Sequence, residues 1–131
     1  MFFGVLALAS ARIVDAYGQD ATAISEKIRE AHMPFGTIMD PVYGSSDPNS
    51  SDYRQIVSYA RAGDSAIWTG HYLAAEAFRY QVTRSQEALD NAWEAVRGIH
   101  ALLDITGNDV LARCLVPVDS PFAADIQQEE G

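Results

Sequence analysis

The stretch Asp64-Ser65-Ala66-Ile67-Trp68-Thr69-Gly70-His71-Tyr72-Leu73-Ala74-Ala75-Glu76-Ala77-Phe78-Arg79-Tyr80-Gln81-Val82 decides how the rest of the chain is read. Asp64 stands where an N-cap belongs, its carboxylate able to accept orphan amides of a first helical turn. On a helical wheel Ile67, His71, Ala74, Ala75 and Phe78 fall together, and Ala66, Leu73, Ala77 and Tyr80 cover the opposite side. Ser65, Thr69, Glu76 and Arg79 form only a narrow polar strip. A helix apolar almost all round is one surrounded by other elements. This segment is therefore expected as an inner, buried helix.

Outward from it, Thr83-Arg84-Ser85 reads as a turn, with Ser85 capping a second helix that runs to about Ile105. Ala88, Leu89, Ala92, Trp93, Val96, Ile99, Leu102 and Leu103 make its apolar side, and Gln86, Glu87, Asp90, Asn91, Glu94 and Arg97 its solvent side. Gly107 supplies the C′ stop. So short a connection makes the two helices antiparallel neighbours, a hairpin core over 64–106. Upstream, Asp20 is an N-cap for a surface helix with Ala21, Ile24, Ile28 and Ala31 in phase, ended by Pro34. From Phe35 to Asp52 two Pro, two Gly and a cluster of Ser, Asp and Asn describe a long irregular loop. A short helix is expected to resume over Tyr53–Ala60. No segment reads as a sheet, so the fold class expected is all-α, built from antiparallel helical hairpins.

The chain of 131 residues is one domain's worth, 20–131 behind an apolar leader at 1–19. The leader, with FFGVLALASA at 2–11 and Ala9-Ser10-Ala11 in the form of a signal-peptidase site, has two readings. One is a signal peptide that has lost its true start, which implies export. The other is the first turns of a helix continuing through Ile13, Val14 and Tyr17, which leaves the chain cytoplasmic. The apolar run is too short to span a bilayer, so no membrane insertion is expected. A net charge of −9 removes the electrostatic footprint for nucleic acid. The single cysteine, Cys114, excludes an internal disulfide and any CxxC motif, and its apolar neighbours mark it as a buried small hydrophobe. No HExxH, EF-hand, phosphate loop or Cys–His cluster is written in the sequence, so neither a metal nor a cofactor is expected.

The run Gly63 to Tyr80, continued by Glu87-Ala88-Leu89 and Ile105-Thr106-Gly107, resembles one hairpin of bacterial six-hairpin glycosidase-like proteins, mostly uncharacterised. That resemblance covers 63–117 and implies an (α/α)6-toroid fold. In such toroids loops and inner-helix ends at one mouth hold sugars. Six hairpins need far more helix than 131 residues hold, so the resemblance implies an incomplete toroid and a missing remainder of a larger chain. It places Asp64, Trp68 and His71 at the sugar-binding mouth.

Those residues also make a chemical constellation. Asp64 and His71 lie seven apart, nearly in line, with Trp68 between them. Such a set can stack an indole on a sugar's C–H face and take its hydroxyls with polar groups. Asp64 and His71 are the candidate catalytic groups, Trp68 and Tyr72 the candidate substrate-binding ones. Glycoside hydrolysis would require a second carboxyl group about 5–5.5 Å or about 6.5–9.5 Å away. Glu76 faces elsewhere, which leaves Asp40, Asp47 or Asp52 in the long loop, or an acid outside this chain. Plainer roles stand beside these: an N-cap for Asp64, core packing for Trp68, a satisfied histidine for His71. Glu76 and Arg79 suit a surface or inter-helix pair, and His32 and His100 share no spacing with a carboxylate pair. Two functions follow: a carbohydrate-binding domain, a glycoside hydrolase if it is an enzyme, or a non-catalytic helical interaction module that self-associates or covers a partner.

Overall fold

The computed structural model describes residues 21–130. The leader at 1–19 and the cap Asp20 lie outside the described residues. Helix α1, followed from residue 21, ends in a π-helical turn at Ile28–His32, just before Pro34. Strands β1 (Asp40–Tyr43) and β2 (Ile56–Ala60) pair antiparallel, with Asp40 opposite Ala60 and a bulge between Val42 and Tyr43. A 3-10 turn, Ala62–Asp64, leads into α2 (Ser65–Thr83), and α3 (Gln86–Asp104) and α4 (Ala123–Glu130) follow.

The all-α expectation is overturned: the fold is mixed, helices plus a two-stranded antiparallel sheet, and the described residues do not form an α/α toroid. The error has a local cause. Residues 53–60, expected as helix, carry Ile56, Val57 and Tyr59, and these β-branched and aromatic side chains suit a pleated surface. The expected loop 35–52 supplies the other strand. Pro41 sits comfortably in it because both strands of a two-stranded sheet are edges. The turn chemistry at 44–55 does make the connection, through Ser50 N–H to the Asp47 carbonyl and Gln55 N–H to that of Asp52.

The helical hairpin is present. Arg84 turns the chain in a left-handed conformation, its N–H on the Tyr80 carbonyl at 2.8 Å, and the Ser85 hydroxyl accepts the Ala88 N–H. Gly107 follows α3 with φ +62°. What differs is which side of α2 is inside. Ser65, Thr69, Tyr72 and Glu76 are buried, whereas Phe78 is 69% and Val82 80% exposed. The polar strip is turned inward, with Thr69 on the segment before β1, Glu76 on α3 and Arg79 on α1 and α3, while Ile67, Phe78 and Val82 face out. α3 buries Ala88, Asn91, Ala92, Ala95 and Gly98, mostly short side chains, and Trp93 is 55% exposed.

Two small apolar clusters complete the interior. Met39, Tyr59, Ala62 and Ile126 hold the sheet to α4, with Phe122 edge-on to Tyr59 at 5.1 Å. Met33, Tyr72 and Ala95 hold α1 to the hairpin. Thr69 fastens the approach to β1 onto α2: its hydroxyl accepts the Ile38 N–H and donates to the Ser65 carbonyl. That link, with the sheet register, positions the site.

Candidate functional site

α1, β1 and α2 enclose a groove of about 450 Å³. Ile28, Ile38 and Ala75 give it apolar wall, and Trp68, His71, Tyr72, His32, Asp40 and Arg61 give it chemistry. Trp68 and His71 come from successive turns of α2, with ring centroids 5.6 Å apart and the planes tilted by 43°. The indole is 47% exposed, so about half of it is accessible to a ligand. His71 Nδ1 donates to the Ile67 carbonyl at 2.9 Å. A carbonyl can only accept, so in the neutral ring Nε2 keeps the lone pair and is the nitrogen free to accept a hydroxyl proton.

The opposite wall is ionic. Asp40 Oδ2 lies 3.5 Å from Arg61 Nη1, and its Oδ1 lies 3.9 Å from His32 Nδ1. Strand register explains the meeting. Asp40 pairs with Ala60, so the next residue, Arg61, leaves β2 beside it. Arg61 is left-handed (φ +55°), and its N–H is taken by Glu129 Oε1 of α4 at 3.1 Å.

Of the residues expected from the sequence, Trp68, His71 and Tyr72 line the groove together and Asp64 does not. Asp64 precedes α2 at the N-cap position, but its side chain makes no capping bond. Its backbone is instead committed to the 3-10 turn, with its N–H on the Arg61 carbonyl at 3.2 Å. Tyr72 is buried, and its hydroxyl is hydrogen-bonded to Ser25 Oγ at 2.8 Å, so it contributes a ring wall and no free polar group. Burial, partly offset by that bond, raises the phenol's pKa. Of the loop acids only Asp40 lines the groove; sequence reasoning set His32 aside for want of a spaced carboxylate and did not single out Arg61. The signal for Arg61 lay in the strand pairing, which the helical reading of 53–60 hid.

Cys114 is half-buried, and burial with nearby Glu130 pushes its thiol up against the pull of Arg113, the setting of a protonated, unreactive cysteine. Among the described residues no cluster of three or more His, Cys, Asp or Glu side chains is placed to hold a metal. Among them, too, no helix is long and apolar enough to cross a membrane.

Comparisons with family models, with curated proteins and with solved structures find no match. The likeness to six-hairpin proteins therefore rests on residues 63–117 of this sequence alone, and the mixed fold does not carry it further.

Proposed function

We propose that the chain is a carbohydrate-binding domain that holds a saccharide against Trp68 in the groove between α1, β1 and α2. The observation that carries this is the half-exposed indole of Trp68 set beside His71 in a groove that the Asp40–Arg61 pair also lines. An aromatic face takes the axial C–H groups of a sugar, and an imidazole, a carboxylate and a guanidinium supply the donors and acceptors its hydroxyls need. The reading is of binding without hydrolysis. Asp40 is the single carboxylate among the lining residues and is committed to Arg61, whereas glycoside cleavage generally uses a pair.

Calorimetric titration with a panel of mono- and oligosaccharides tests it. Binding is expected for the parent protein and is expected to fall by at least about tenfold in Trp68→Ala, the loss of one good stacking contact. Far-UV circular dichroism should be retained, since that indole is half in solvent. A panel with no binder, or full affinity in the variant, removes the reading.

A second reading, a helical interaction module, is favoured by a different observation. Ile67, Phe78 and Val82 on α2 and Trp93 on α3 stand exposed. On α2 the outward residues Ile67, His71, Ala74 and Phe78 follow the four-three-four spacing of a coiled-coil seam.

A further inference from the structure

Beside the Trp68 groove a second, wider cavity of about 750 Å³ opens, and His32 stands in the wall of both. We propose that the two form one site and that the second is an anion subsite, so that the saccharide bound is an acidic one bearing a carboxylate or phosphate substituent. This rests on the carbohydrate reading of the first groove and names its ligand class.

The charge distribution is the first support. The chain carries −9 overall, yet this cavity is lined by Lys27, Arg54 and His32 against the single acid Glu30. Among the described residues neither Lys27 nor Arg54 has a carboxylate within ion-pair distance, although half as many basic as acidic residues are available to the chain. In so acidic a protein, a concavity where two cations outside any ion pair outnumber the single acid forms a local well for an anion.

Geometry is the second. The Arg54 guanidinium lies over the Tyr53 ring, 5.2 Å from its centroid, a contact that favours one placement while leaving its fork of donors unspent. Arg54 itself is left-handed, φ +63°, in the turn closed by Gln55 N–H on the Asp52 carbonyl. A planar fork held this way matches a carboxylate or phosphate in two-point contact, with the Lys27 ammonium as the second charge. Ser45 and Ser46 add hydroxyls to the same wall. The sugar ring on Trp68 and its acidic substituent between Lys27 and Arg54 would meet across His32.

The test uses the full chain with Trp93→Phe, which leaves Trp68 as the sole indole of the two in the sequence. It is titrated with one oligosaccharide in three forms: neutral, oxidised at C6 to the carboxylate, and phosphorylated at C6. At low salt at least one acidic form is expected to bind about tenfold or more tightly than the neutral one, and that advantage should shrink as salt rises. Lys27→Ala with Arg54→Ala should bring the acidic forms to the level of the neutral form. Which acidic form binds more tightly distinguishes carboxylate from phosphate. Equal binding of all three, or discrimination that survives the double variant, overturns the anion subsite and leaves the carbohydrate reading standing. If no form perturbs Trp68, the carbohydrate reading fails and the acidic-saccharide proposal with it. Amide shifts of Ser45, Ser46 and Arg54 with acetate or inorganic phosphate then show whether the cavity takes an anion at all.

Discussion

Glu76 is 3% exposed, and its Oε2 receives Arg79 through both Nε and Nη2, at 3.0 and 2.6 Å, and Asn91 Nδ2 at 3.3 Å. Asn91 also reaches Ser25 Oγ at 3.1 Å, which joins the pair to the Tyr72 hydroxyl. Arg79 touches Thr22 and Glu87 as well. Burial alone would weaken its charge, but hydrogen bonds and attraction from Glu76 and Glu87 outweigh that and raise its pKa. Taking two charges out of water is costly, so the pair is poor evidence of net stability, but breaking it leaves one buried charge alone. Arg79→Met is therefore expected to lower the urea unfolding free energy by about 3–5 kcal/mol, while Glu76→Gln with Arg79→Met costs clearly less than the single change. Equal losses in the two variants would mean that Glu76 finds water when Arg79 is gone. The pairing of Glu76 with Arg79 was legible from their spacing of three. Its burial was not, because charged residues are almost never fully buried unless paired, and the hydrogen-bonding partners Asn91 and Thr22 come from other helices.

At the scale of elements, α3 meets the turn after α1 at close quarters. Gly98 marks the point: a Cβ there would run into the Gly36 carbonyl oxygen, a backbone atom with no rotamer to move. Helix propensity alone would make Gly98→Ala stabilising by about 1 kcal/mol. Overpacking against backbone costs about 1–3 kcal/mol, so a net loss is expected, read as a lower urea midpoint with an unchanged slope. A higher midpoint would mean that the Gly36 turn yields freely. The hairpin's limits could be read from Ser85 and Gly107 because caps and stops are local chemistry. Its inside could not. The wheel of α2 separates polar from apolar correctly, yet polar residues are the ones enclosed, since Thr69, Glu76 and Arg79 all find partners that only tertiary structure brings. The sheet escaped for another reason. In Ile56-Val57-Ser58-Tyr59-Ala60 only Tyr59 is buried, and no clean alternation marks the strand. With it went the register that brings Arg61 to Asp40, so half of the candidate groove was invisible, while its α2 half, Trp68 and His71, was in plain view.

For the whole molecule, the outward apolar faces and the acidic balance pull in opposite directions. Ile67, Phe78 and Val82 on α2 and Trp93 on α3 offer exposed apolar side chains to a partner, while copies carrying −9 each repel at low ionic strength. The interaction-module reading accordingly expects a weight-average mass by sedimentation equilibrium that rises with protein concentration, and more steeply at high salt, where repulsion is screened. Phe78→Asp on α2, or Trp93→Asp on α3, should return the mass to that of a monomer. A mass independent of concentration and salt excludes self-association through these faces.

The Arg61–Glu129 bond joins positions 68 residues apart, whereas the α2–α3 hairpin closes through a turn of two residues. Contacts of such different span do not form at the same speed, because local ones cost little loop entropy and distant ones cost more. The order of assembly follows: the hairpin first, and the corner at Arg61 only when α4 arrives. Until then Arg61 lacks the Glu129 acceptor that holds its backbone N–H in the left-handed turn beside Asp40, so the ionic wall of the groove is expected to become native only after the hairpin has formed.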